Sequence, residues 1–191
     1  DLQPNGQGIR QMMITIKRED DVWDEAIDRS ETLVTECNLE PKAIIEKIKD
    51  AGIVGMGGAT FPTHVKLSIP EGKKAEILII NGVECEPYLT SDYRVLIEMP
   101  EQVLIGAAIM MKALNVTQGF IGIEENKPEA IKVMQQKAKE YPQIEIVTLK
   151  KKYPQGGEKQ LIDAVVGRQV PSMGLPIDTG AVVQNVGTAL A

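Results

Sequence analysis

Ala75-Glu76-Ile77-Leu78-Ile79-Ile80-Asn81-Gly82-Val83-Glu84-Cys85-Glu86-Pro87-Tyr88 is an apolar run that passes without a spacer into a polar segment. Glu76 aside, Ala75–Ile80 is aliphatic, which predicts a strand buried on both faces, as in parallel sheets. Thr117–Ile123 and Ile144–Leu149 predict two further strands, and Ala181–Val183 a short fourth. Between them the pattern turns helical, at Asp92–Glu98, Glu101–Leu114, Pro128–Glu140 and Glu158–Val166. Strands alternating with helices build βαβ units, so the expected fold class is α/β with a mostly parallel sheet. Ligands of such sheets bind at the carboxyl ends of the strands.

The residues just past each strand are therefore the first candidates for a site. After the first strand comes Asn81-Gly82-Val83-Glu84-Cys85-Glu86-Pro87-Tyr88, whose Asn and Glu side chains suit ring edges or ribose hydroxyls. A solvent-exposed acidic turn explains the same residues. Cys85 is better placed as a small pocket-lining residue than as a nucleophile, because His64 is the only histidine available to activate it. After the third strand, Tyr153-Pro154-Gln155-Gly156-Gly157-Glu158-Lys159-Gln160 runs a glycine pair into a helix, with Glu158 in the favoured first turn. After the fourth, Asn185 and Thr188 are spaced to cap a helix, or to offer its start to a phosphate.

A further loop precedes the first strand. Pro41 opens a helix with Ile44, Ile45 and Ile48 on one stripe, and Gly52 stops it. Gly52-Ile53-Val54-Gly55-Met56-Gly57-Gly58-Ala59-Thr60-Phe61-Pro62-Thr63-His64-Val65-Lys66 then places four glycines within seven positions. Such backbone reaches φ > 0 and approaches a ligand closely. Pro62 suits a helix's first turn, which would put Lys66 about one turn in, within reach of an anion held at the helix start. The spacing matches neither the Walker loop nor the dinucleotide fingerprint, and a tight structural turn is the alternative.

The totals exclude several classes. At 191 residues, 43% hydrophobic and 25% charged, the chain suits one globular domain, perhaps with a small appendage. No apolar run approaches the roughly 20 residues that span a bilayer. A net charge of -6 with 4% aromatics argues against nucleic-acid binding. Cys37 and Cys85 alone cannot hold an iron–sulfur cluster, and a single histidine rules out a His-rich metal site. Met110 and Met111 are expected to fill core gaps. Residues 1–40 read least clearly. Met12–Lys17 alternates like a strand, and the acidic run Glu19–Asp28 around Trp23 suits a solvated face. A start at Asp1 and a helix cut short at Val186–Ala191 suggest a piece of a longer protein, with 41–191 the ligand-binding domain and 1–40 an extension or the end of a preceding domain.

Gly55-Met56-Gly57-Gly58-Ala59-Thr60-Phe61-Pro62-Thr63 resembles the glycine loop of the FMN-carrying, NADH-binding subunit of respiratory complex I. Together with Asn81–Thr90, Tyr153–Gln160 and Val182–Thr188, it is still more similar to the C subunit of Rnf electron transport complexes. The resemblance uses four motifs in order and runs from about Pro41 to the end. It implies a Rossmann-like domain whose glycine-rich loop Gly55, Gly57, Gly58 binds FMN with Lys66. Asn185 and Thr188 would lie near the phosphate and ribityl chain, and Asn81, Glu84 and Cys85 would contact the flavin. Gly157 and Glu158 would border the cleft. Phe61 and Glu86 would face NAD(H), with Lys159 beside the nucleotide. Hydride would pass between nicotinamide and flavin, and electrons would leave singly to 4Fe-4S clusters held in the missing part of a full-length protein. The implied setting is the cytoplasmic side of the cell membrane, peripheral, among the subunits of an ion-translocating complex.

Some positions depart from the complex I pattern. Val83 replaces an acidic residue, Cys85 a serine and Lys159 a glutamate, changes that fit the Rnf-like branch while altering the charge beside the nucleotide. Two rival functions remain: a soluble flavoprotein electron carrier serving a clostridial reductase, and a non-catalytic scaffold that has lost the flavin.

Overall fold

The structure, a computed structural model, describes residue 30 and residues 33–191. The strand expected at Met12–Lys17 and the acidic face Glu19–Asp28 lie outside the described residues. The helices and strands of the described residues fall within the unit Val34–Ala191.

In chain order the elements are α1 Pro41–Asp50, α2 Thr63–Leu67, β1 Ile77–Gly82, α3 Ser91–Glu98, α4 Pro100–Leu114 and β2 Gly119–Glu124. They continue with α5 Pro128–Lys137, β3 Ile144–Leu149, α6 Glu158–Val166, β4 Ala181–Asn185 and α7 Val186–Leu190. The strands form one sheet in the order β3-β2-β1-β4, parallel throughout. β1 is therefore interior, which is why its residues are apolar on both faces. Leu78 and Ile80 enter a core with Ile121, Ile123 and Val182, covered by α1, α3, α4, α5 and α7. Ile77 and Ile79 enter a second core with Phe120, Val183 and the α6 residues Leu161 and Ile162. A fully buried leucine or isoleucine contributes about 1.5–3 kcal/mol, so these two faces supply most of the domain's stability.

β3 and α6 have the bounds expected from sequence, whereas β1 and β4 do not. β1 begins two residues late and continues through Asn81 and Gly82. The reason is a close approach: a Cβ at Gly82 would lie 2.9 Å from the Gly122 carbonyl oxygen and 3.2 Å from Leu96. Glycine there lets the strand pair one step further, against Ile123. β4 likewise runs on through Gln184 and Asn185, which pair with Ile80 and Asn81. Polar residues that read as loop thus belong to strand ends, on backbone fixed by the sheet. Pro62 precedes α2 as its N-cap rather than entering its first turn. α5 tightens into a 3-10 turn at Ala138–Glu140.

Candidate functional site

The loop after α1 is closed at its base. Val54 and Pro62 form an antiparallel bridge, the Gly55 N–H donates to the Phe61 carbonyl at 2.8 Å, and the Thr63 N–H donates to Ile53 at 3.2 Å. Left-handed backbone at Gly58 (φ 105) and Thr60 (φ 54) turns the chain at the tip. The loop is also tied across the domain: the Met56 N–H donates to Thr188 Oγ1 at 2.9 Å. Gly57 packs on Asn185, whose Cβ would be 3.5 Å from a Cβ added at Gly57.

Between this loop and the carboxyl edge of the sheet lies a cleft of about 250 Å³. Of the residues picked out from sequence, Gly55, Gly57, Phe61, Lys66, Asn81, Glu158 and Asn185 line it. They come from four separate segments, and strand order accounts for the convergence. β1 and β4 are neighbours, so Asn81 and Asn185 stand side by side at that edge. Lys66 Nζ reaches Glu158 Oε1 at 2.5 Å, leaving further ammonium donors for a ligand anion.

Asn81 holds two loops at once. Its Nδ2 donates to the Gly156 carbonyl at 2.9 Å, and its Oδ1 accepts from the Val83 N–H at 3.1 Å. Gly156, not Gly157, is the glycine of that pair on the cleft wall. A Cβ at Gly156 would crowd the Val83 carbonyl at 3.1 Å, and the Val83 side chain packs in the second core. Gly157 is the N-cap of α6. Asn185 also works twice: Oδ1 accepts from the Gly187 N–H at 2.8 Å and caps α7, while Nδ2 donates to Asp92 Oδ2 at 2.6 Å. Burial raises the Asp92 carboxyl above its ordinary value, the Asn185 bond opposes that, and the Glu84 carboxylate adds to it.

Several expected positions lie elsewhere. The Glu84 side chain, 4% exposed, turns away from the cleft. Its oxygens accept from the α3 amides of Asp92 at 2.8 Å and Tyr93 at 3.1 Å, and Lys127 Nζ stands 3.6 Å away. It caps a helix that offered no cap of its own at Thr90. Cys85 packs against the second core. Glu86 and Lys159 are exposed and outside the lining, as is Gly58 at the loop tip. Thr188 is 1% exposed and serves the glycine loop rather than the cleft surface.

Sequence reasoning passed over several residues. Among the described residues, the buried side-chain atoms without a partner are Thr63 Oγ1, Glu124 Oε2, Gln155 Nε2 and Gln184 Nε2. Thr63 opens the helix after the glycine loop, Glu124 ends β2, Gln155 precedes the glycine pair, and Gln184 lies one residue before the end of β4. Buried polar atoms are ordinarily paired, so each of these is unusual. Gln184 also lines the cleft. The available signal was an amide following Ala-Val-Val in a strand. No group of three metal-ligating side chains exists among the described residues, and no described helix is long and apolar enough to cross a membrane.

Residues 48–191 match the family model of the Nuo51 FMN-binding domain. The chain belongs to that family. Within it, similarity is high to the C subunit of the proton-translocating ferredoxin:NAD(+) oxidoreductase complex of Clostridium ljungdahlii, 52% identical over 97% of this chain and 40% of the relative. The Na(+)-translocating counterpart from Acetobacterium woodii is 46% identical over 98% of this chain and 42% of its own length. The chain thus spans less than half of either relative. A crystal structure of an NAD+-reducing [NiFe]-hydrogenase superposes with a TM-score of 0.66 at 26% identity, covering 79% of this chain and 29% of that one. The Nuo51-type, Rossmann-like sheet with helices on both faces is the architecture expected from the motifs.

Proposed function

We propose that this domain holds FMN in the cleft and carries electrons between NAD(H) and iron–sulfur carriers, as the flavin domain of an Rnf-type ion-translocating oxidoreductase. The observation that carries this reading is the convergence of the glycine loop, the β1 end, the Gly156 loop and the β4–α7 junction on one cleft, which the unpartnered amide of Gln184 also lines. The residues present fit the group. Lys66 supplies a cation for a phosphate, the glycine loop lets backbone approach closely, and the orphaned Gln184 Nε2 offers a donor to a ribityl hydroxyl or ring edge. When bound, FMN supplies the hydride acceptance and single-electron release that no side chain here can perform.

The chain's own residues bind and orient. Asn81 fixes the height of the Gly156 wall. Asn185 and Thr188 fix the glycine loop, and Glu158 keeps Lys66 aimed inward. With the Glu84 carboxylate committed to α3, contact from that segment falls to the Glu84 and Cys85 backbone. Phe61, 51% exposed on the cleft wall, offers a stacking face for a nicotinamide nucleotide, with Glu86 exposed in the segment after β1 and Lys159 exposed in the first turn of α6. Lys159 puts an ammonium where related sites carry a carboxylate. The site belongs with residues 41–191 of a longer subunit on the cytoplasmic side of the membrane, whose other parts hold 4Fe-4S clusters and meet the partner subunits.

Flavin-fluorescence titration followed by anaerobic NADH addition tests this. Saturable FMN binding with bleaching by NADH is expected. Binding without bleaching would retain the flavin site and remove the nucleotide site, with Lys159→Glu the next variant. A protein that stays colourless with added FMN would leave only a scaffold.

A further inference from the structure

Two asparagine amides, Asn81 and Asn185, stand side by side on the cleft wall. Each amide has donor hydrogens on nitrogen and lone pairs on oxygen, and each spends one of either kind inside the protein. What remains for a ligand, and in which order, depends on the way the amide is turned. Asn81 is held by main chain at both ends, through the Gly156 carbonyl and the Val83 N–H. Asn185 is held by main chain at one end only, through the Gly187 N–H. At the other end its Nδ2 donates to Asp92 Oδ2 at 2.6 Å.

The position of Asp92 is fixed by its surroundings. Glu84 Oε1 accepts the Asp92 N–H at 2.8 Å and anchors the first turn of α3. α3 and α7 both close on the end of β1, where a Cβ at Gly82 would meet Leu96 at 3.2 Å and Val186 at 3.3 Å. Asp92 itself lies outside the cleft lining. The helix dipole favours an acidic residue in the first turn, which accounts for its presence but not for the direction of its carboxylate. That direction matters to Asn185. A turned amide would set Nδ2 against the Gly187 N–H and Oδ1 against the carboxylate, donor on donor and acceptor on acceptor. Without the carboxylate, the Gly187 N–H alone would specify the amide's orientation.

We propose that Asp92 is a positioning residue for the cleft: its carboxylate fixes the Asn185 amide, and with it the donor and acceptor that the end of β4 presents to the bound ligand. The effect on cofactor affinity rests on the FMN reading given above; the hold on Asn185 does not.

The test compares the wild-type chain with Asp92→Ala, Asp92→Asn, Asn185→Ala and the double variant of Asp92→Ala with Asn185→Ala. Its first readout needs no ligand. The side-chain amide of Asn185 is followed in a nitrogen–proton correlation spectrum and identified by its loss in Asn185→Ala. In the wild type the hydrogen facing Asp92 should exchange slowly with solvent. That protection should vanish in Asp92→Ala and persist in Asp92→Asn, whose carbonyl still accepts. FMN should bind Asp92→Ala about fivefold more weakly than wild type, Asp92→Asn within about twofold of it, and the double variant no more weakly than Asn185→Ala. Unchanged Asn185 protection or unchanged FMN affinity in Asp92→Ala would overturn the proposal. So would a loss that recurs in full in the Asn185→Ala background, or one as large in Asp92→Asn as in Asp92→Ala. If wild type bound no FMN, the FMN reading would fail, and the ligand-free spectra would still decide whether Asp92 holds Asn185.

Discussion

At Gly106 on α4 an added Cβ would lie 1.7 Å from the Ala189 carbonyl oxygen, whereas at Gly58 in the loop it would meet nothing within 4 Å. The first glycine exists for contact: it lets α7 lie directly on α4. The second exists for shape, because its φ of 105 excludes other side chains although the space is open. Gly57 stands between them, with ordinary contact to Asn185 on one side and the cleft on the other. A glycine count would treat all three alike. Their surroundings separate stability from access, and substitutions can test that separation.

The largest effect is expected at Gly106→Ala. The new methyl group would collide with backbone, forcing α7 off α4 at a cost of about 3 kcal/mol, read from the urea midpoint. Asn81→Ala follows, at about 2 kcal/mol, because the Gly156 carbonyl and the Val83 N–H lose their partner together. Faster amide exchange in the segment after Tyr153 would report it. Gly57→Val should behave oppositely to Gly106→Ala: about tenfold weaker FMN binding, with an unfolding midpoint shifted by no more than about 0.5 kcal/mol. If it destabilised as strongly as Gly106→Ala, the distinction between contact and access would collapse. Thr188→Val keeps the shape and removes the acceptor for the Met56 N–H, costing about 1 kcal/mol and loosening the glycine loop.

Asp92 gives the smallest effect, in the pH dependence. Its folded carboxyl sits above the ordinary value of 3.8, so the folded state binds the proton more tightly than the unfolded chain. The stability due to Asp92 is complete below 3.8 and is lost as pH rises through the raised value. Asp92→Asn, whose carbonyl can still accept from Asn185, should remove that component from a stability–pH curve. An unchanged slope would show that burial of Asp92 carries no energetic weight.

The legible parts of the sequence were those where local pattern and tertiary environment agree. Ile144–Leu149 and Glu158–Val166 are bounded by prolines, glycines and charges, so their limits followed directly. Pro41, Pro100 and Pro128 likewise marked helix starts. Asn81, Asn185 and the glycine loop could be gathered into one site because strand order in a parallel sheet brings their ends together. What Glu84 does could not be read, since its partners are amides eight and nine positions away, across a loop whose path composition does not specify. Gln155, Gln184 and Glu124 were missed for a related reason. Each is a common polar residue, and only its burial without a partner sets it apart.

The bond from Met56 to Thr188 spans 132 positions of chain. During synthesis the glycine loop emerges long before the residue that steadies it, and β1 likewise precedes its neighbour β4, since Ile77 pairs with Ala181. Flavin uptake is therefore expected late, once the last strand has joined the sheet. In refolding experiments the quenching of flavin fluorescence should accompany the final phase, and an earlier signal would contradict this order. On that order, a partly made domain would hold no reactive redox group until the walls that confine it are in place.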